Sequence, residues 1–178
     1  MAITGAKQLI LKPQDLVVAL KLAINRHRDY GVAELAAELD MALSSVHGAI
    51  LRGEQGRLLS RSAGSIRAIR AAVSEFVVHG AKYSFPGQLG SITRGIPTGI
   101  GGPTLREQFE NTDLFSPVWP NPEGSSRGPS LTPLYPGVHK AALKDEALYD
   151  ALTLLDALRV GAARERELSV LALQERLA

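Results

Sequence analysis

Between residues 52 and 70 the chain carries five arginines, Arg52, Arg57, Arg61, Arg67 and Arg70, against a single acid, Glu54. Guanidiniums with so little counter-charge are the footprint of a surface that holds phosphate oxygens. The alternative is a solvated helical face with scattered charges. Just upstream lie Ser44, Ser45 and His47. The two serines are short donor-acceptors suited to phosphate or base edges, and His47 can donate to guanine or phosphate. A plain exposed histidine is the other reading of His47. Arg94 in ITRGIPT and Arg127 in SSRGPS occupy Gly/Pro segments of similar wording. Each offers a guanidinium beside turn amides, a combination that takes an anion or contacts a partner protein. The alternative is that each braces its own loop through carbonyls.

Other chemistries find no constellation. His27, His47, His79 and His139 lack metal-ligand spacing, and there are no cysteines. There is no phosphate-binding loop and no nucleophile elbow, and GIGGPT (99–104) lacks the strand-then-helix frame of a dinucleotide site. Asp145, Glu146, Asp150 and Asp156 fall on several faces of one helix and read as a solvated surface. The expectation is no catalytic residue, no metal, no cofactor and no enzyme. Residues 31–75 contain no aromatic side chain, which argues against single-stranded nucleic acid, usually held by stacking.

The elements that must position these groups follow from periodicity and punctuation. A first helix is predicted over 13–27, opening on Pro13, with Leu16, Leu20, Ala23 and Ile24 as its apolar stripe. A short helix over 32–39 and a third over 43–52 follow. Leu58-Leu59 reads as a short strand. A fourth helix is predicted over 66–79, capped by Ser65 and ended by Gly80. Residues 81–85 read as a strand. The segment 80–143 holds nine of the ten prolines, so it reads as loops and short strands, with Phe109, Phe115, Trp119 and Tyr135 packing it. Two helices, 145–160 and 163–177, close the chain. Their apolar faces are wide enough to suggest a contact with a second copy.

Within VAELAAELDMALSSVHGAIL (32–51) the spacing is that of a helix-turn-helix. Ala36 is the small residue where the second helix crosses. Leu35 and Leu39 face the core, and Met41 plugs it beneath the turn. Val46, Ala49 and Ile50 hold the second helix down. Asp40 stands at the left-handed turn position, where glycine is usual. Leu43, Ser44, His47, Gly48 and Leu51 remain outward, with Ser45 and Arg52 at the margins. In this motif the second helix enters the major groove with its N-terminal half at the bases. The implied DNA-binding set is Ser44, Ser45, His47, Gly48, Arg52, Arg57 and Arg61, the last three clamping the flanking backbone.

Residues 12–61, with ELAAELDMALSSVHGAILRGEQGRLL, resemble the winged helix-turn-helix domain of bacterial MarR-like transcription regulators. Two departures stand out. The usual Ser/Thr cap of the recognition helix falls on Ala42, and the predicted fourth helix leaves the wing nearly absent. The remainder, with TRGIPT and DALRVGAARERELSVLALQERL, resembles a group of bacterial helix-turn-helix proteins that stand beside nucleotidyltransferase-type toxins. The resemblance implies a homodimeric regulator acting by operator occupancy on double-stranded DNA, such as a repressor. Its alternative is an antitoxin that neutralises a partner enzyme from an adjacent gene and represses its own operon.

The composition is compatible with either. At 178 residues, 45% hydrophobic and 21% charged with net charge +2, the chain is long enough for a sizeable core. Its start lacks a basic-then-apolar signal, and no apolar run reaches the ~18–20 residues of a membrane span. A cytoplasmic protein with no membrane contact is expected. The predicted fold is mainly α: a helix-turn-helix over 1–79, a Gly/Pro-rich middle over 80–143, and a helical pair over 144–178.

Overall fold

Pro13 sits in the first turn of α1 (Pro13–Ile24), where its missing N–H has no partner to lose. The structure, a computed structural model, describes residues 9–109 and 116–178. The expected stripe of α1 is apolar, but the helix is buried on nearly every side, from Asp15 to Ala23. Elements from both ends of the chain surround it: α3 (Leu43–Gln55), the strand β2 (Ser65–Ala68), and the late helices α8 (Glu146–Val160) and α9 (Ala163–Leu177). One contiguous apolar cluster therefore runs from Leu16 to Leu177, and the three compositional regions share it.

Two charges are buried with α1, and burying an ion is tolerable only when it is paired. Lys21, 2% exposed, places Nζ 2.6 Å from Asp145 and 2.7 Å from Glu38. Desolvation pulls its pKa down, but the two carboxylates outweigh that and hold it above the ordinary lysine value. Asp145 also caps α8 by accepting from the Leu148 N–H at 3.0 Å. One carboxylate thus ties the first helix to the start of the eighth.

After α3 comes a tight antiparallel hairpin, β1 (Leu59–Ser62) with β2. Helix was expected from Ile66, with Ser65 as its cap. Instead Ala63 and Gly64 both take positive φ, 49° and 83°, the two-residue turn that suits strand twist. Ile66 then turns inward as a strand residue. The fourth helix starts later, as α4 (Arg70–Glu75), and does not end at Gly80. It passes through a π turn (Phe76–Gly80) into α5 (Ala81–Ser84), where a strand was expected. Gly80 keeps a right-handed φ of −108°, and the Phe76 ring packs where a Cβ would stand, so glycine serves here for space rather than for a left-handed turn.

The middle segment, which also holds the short helices α6 (Pro103–Arg106) and α7 (Val138–Lys144), is built around three strands that close on themselves. β3 (Leu89–Pro97) pairs antiparallel with both β4 (Val118–Pro120) and β5 (Ser126–Leu131), and β4 meets β5 in parallel at Val118 and Ser130. Such a ring has no room for side chains inside. A Cβ on Gly95 would fall 2.2 Å from the Trp119 carbonyl oxygen, and one on Gly128 would fall 2.0 Å from that of Ser116. Close backbone approach is the reason this segment needs its glycines.

Asp156 of α8 pins this ring to the core. Its carboxylate accepts from Thr98 Oγ1 and Trp119 Nε1, both at 2.7 Å, and pairs with Arg159 at 2.6 Å. Burial pushes its carboxyl up, against the pull of Arg159 and the two neutral donors. The solvated-surface reading of the α8 acids is therefore corrected. Asp156 is fully buried, Asp145 is a cap, and Asp150 bonds Thr104 and Arg176. Glu146 alone of the four is exposed. Helical periodicity spreads the four over several faces, but α8 is covered on several faces.

The closing helices also find their partners within the chain. Leu148, Leu152, Leu155 and Leu158 are buried, and α9 inserts Leu173 and Leu177 beside α8 and α4. Much of the apolar surface that suggested a contact between copies is used internally, while Leu171 of α9 stays 65% exposed. Trp119 and Tyr135 are buried and Phe109 is partly so, while Phe115 lies outside the described residues. No described helix is long and apolar enough to cross a membrane.

Candidate nucleic-acid interface

The second helix, α2 (Val32–Glu38), is joined to α3 by residues 39–42. Leu35, Ala36 and Leu39 are buried on one side of this turn, and Val46, Ala49 and Ile50 on the other. Met41 packs against the same core, and its N–H bonds back to the Ala36 carbonyl at 3.0 Å. Asp40 takes φ 52°, the left-handed conformation that lets the chain reverse so quickly. The turn is braced from far away. Tyr135 Oη donates to the Leu39 carbonyl at 2.5 Å, and Lys140 pairs with Asp40 at 3.1 Å.

This bracing presents one face of α3 outward. Leu43 is 56% exposed and Leu51 45%, with exposed Ser44 and His47 between them. Ser45 is half-buried and lines a cleft of about 340 Å³ shared with Gln14, Ala42, Tyr135, His139 and Lys140. Gln14, His139 and Lys140 thus join the margin of this surface. Only the fold brings them there, since His139 and Lys140 lie some hundred positions along the chain, and no local spacing marks them.

α3 starts on Ala42, whose side chain makes no cap bond. Ala42→Ser should add about 1 kcal/mol by satisfying an orphan N–H of the first turn. Urea unfolding, read as a higher midpoint at unchanged slope, checks it.

The arginines divide. Arg52, expected at a phosphate, is held inward by both oxygens of Asp15, at 2.7 Å each. Asp15 is fully buried, so this pair is part of the core and Arg52 leaves the contact set. Its guanidinium also lies over Gly48, 3.0 Å from where a Cβ would stand, so Gly48 gives passage to Arg52. Arg61 pairs with Glu54 at 3.1 Å but stays 48% exposed. Arg67 pairs with Asp29, and Arg70 bonds the Arg176 carbonyl.

Arg57 is different. It is exposed and takes φ 56° just past α3, where glycine is usual, although Gly56 stands immediately before it in a right-handed conformation. No partner holds its guanidinium among the described residues.

Arg94 and Arg127 come together. They stand directly opposite each other on β3 and β5, and Arg94 donates to the Gly124 carbonyl at 3.2 Å. Bracing is thus part of Arg94's role. Among the described residues no group of three or more His, Asp or Glu could hold a metal ion.

Comparison with protein-family models, with curated proteins and with solved structures finds no match for this chain.

Proposed function

We propose that α2, its turn and α3 form a helix-turn-helix, with the β1–β2 hairpin as a short wing, and that the protein is a sequence-specific double-stranded DNA-binding regulator. The observation that carries the reading is the uncovered face of α3. A long-range brace through Tyr135 and Lys140 fixes the turn, yet Leu43, Ser44, His47 and Leu51 are left in solvent. A helix held this firmly with short polar groups and two apolar side chains outward suits a major groove. Ser44 and His47 would meet base edges, and the leucines would meet thymine methyls. Ser45 at the margin and Arg61 on the hairpin would follow the phosphates. Two copies reading half-sites about one helical turn apart would supply specificity that one short helix lacks.

Arg57 strengthens the reading. Its left-handed backbone closes α3, with the Arg57 N–H on the Glu54 carbonyl at 3.1 Å and the Leu58 N–H on the Gly53 carbonyl at 2.9 Å, at a conformational cost of roughly 1 kcal/mol that glycine would not carry. What supports a phosphate contact is the side chain, an exposed guanidinium with no partner among the described residues. Arg57→Gly should therefore leave stability unchanged or raise it by up to about 1 kcal/mol. It should weaken binding to every duplex and reduce the salt slope by about one unit. Gel shifts on the DNA upstream of its own gene, over a range of salt, test the reading. The absence of both a specific shift and any salt-dependent binding would refute it.

A further inference from the structure

β3 and β5 set two arginines directly opposite each other, with one N–H of Arg94 on the Gly124 carbonyl at 3.2 Å and its other donors left for a ligand. Arg94 and Arg127 are cross-strand partners, so their side chains leave the same face. The Arg94 carbonyl accepts from the Asn121 N–H on the opposite, β4 side. That makes the Arg94–Arg127 pair the non-hydrogen-bonded kind, in which side chains stand closest. Like charges directly opposite destabilise a sheet. No carboxylate among the described residues offsets them, and both arginines are exposed. On the same face, two residues along each strand, stand Ile92, 59% exposed, and Pro129 opposite it. Leu89, 52% exposed, stands at the start of β3 beyond the irregularity that separates it from Ile92. Gly95 and Gly128 each approach the 116–119 backbone too closely for a Cβ, so both strands are seated against the same segment.

We infer that this face docks an extended acidic segment of a partner protein, whose carboxylate is gripped by the two guanidiniums while an apolar side chain covers Ile92. Paired guanidiniums are built for carboxylate or phosphate oxygens. The apolar flank decides between them. A phosphate backbone offers nothing to cover Ile92 and Leu89, whereas exposed apolar patches rimmed by charge mark protein contacts. The site lies outside α3 and is independent of the DNA reading.

The test uses the full chain and a fluorescein-labelled peptide alternating Glu with Val, against the same peptide with Gln for Glu and against a DNA duplex. Binding of the Glu peptide should exceed that of the Gln peptide at least about tenfold, the scale of a charge-assisted contact. Arg127→Glu should abolish that preference and leave duplex binding unchanged. The same substitution should raise the melting temperature by about 1–3 °C, because it replaces a cross-strand repulsion with an attraction. Equal binding of the two peptides would overturn the inference. So would a loss of duplex binding with peptide binding intact, which would give the face to nucleic acid. A lower melting temperature with peptide binding unaltered would make the arginine pair structural.

Discussion

Replacing Asp156 with alanine is expected to cost about 3–5 kcal/mol of folding stability, the scale for removing one partner of a buried ion pair. Three groups lose their acceptor at once: Thr98 Oγ1, Trp119 Nε1 and the Arg159 guanidinium. Arg159 keeps its bond to the Phe85 carbonyl at 2.8 Å, but its charge is left buried and uncompensated. A domain of this size is commonly stable by only about 5–15 kcal/mol, so the variant should be close to unfolded at 37 °C. Asp156→Asn should fall between the two. It keeps an oxygen for Trp119 and Thr98 and loses the charge that Arg159 needs. Urea unfolding followed by circular dichroism separates the three proteins. If Asp156→Ala melted within about 1 kcal/mol of the parent, the closed strands would not depend on this anchor.

Arg52→Ala is the second large effect, expected at about 3 kcal/mol. Asp15 has no exposure, and both of its oxygens are held by Arg52, with the Lys12 N–H adding a bond at 2.8 Å. Without Arg52 the carboxylate is left with backbone hydrogen bonding alone. The estimate sits at the low end of the range because Arg52 itself is partly wetted at its outer edge. Arg52→Lys should recover part of the loss, since an ammonium keeps the charge but cannot make the two-pronged bond. The distinction matters for binding assays. Any lost binding in Arg52→Ala must be corrected for lost folding, whereas Arg57→Gly is expected to lose binding without losing stability.

The contrast between these two arginines shows where sequence reading succeeds and where it stops. The frame around the α2–α3 turn was legible because it is local. Ala36, Asp40, Met41, Val46 and Ala49 lie within fourteen positions, and their spacing alone puts them on facing sides of two short helices. Arg52 was misplaced because its partner, Asp15, lies 37 positions away, and an arginine at a helix margin looks the same whether it faces solvent or a buried acid. The acids of α8 misled for the same reason: Asp145 and Asp156 answer to Lys21, Thr98 and Trp119, all distant in the sequence, and only Glu146 marks a solvated side.

The hairpin and the continuous α4–α5 helix turned on competing local signals. Ser65 reads equally as a helix cap and as the residue after a Gly64 turn, and packing of Ile66 against the core decided for the strand. Gly80 reads as a helix stop until the Phe76 ring is placed beside it. The pairing of Arg94 with Arg127 was half visible in their similar wording. The register that makes them neighbours came only with the closed strands.

The most direct test of the account is a binding isotherm for the duplex upstream of the gene and for a scrambled duplex, measured by fluorescence anisotropy across salt, for the parent and for a Ser44→Ala/His47→Ala variant. Both residues are exposed, so the variant should melt with the parent. The account predicts that it loses its preference for the upstream duplex, by about 1–3 kcal/mol for each base contact removed. Its salt slope should stay within about one unit of the parent's, since His47 can at most surrender a single phosphate contact. A variant that keeps the full preference would contradict the assignment of α3 as the reading helix.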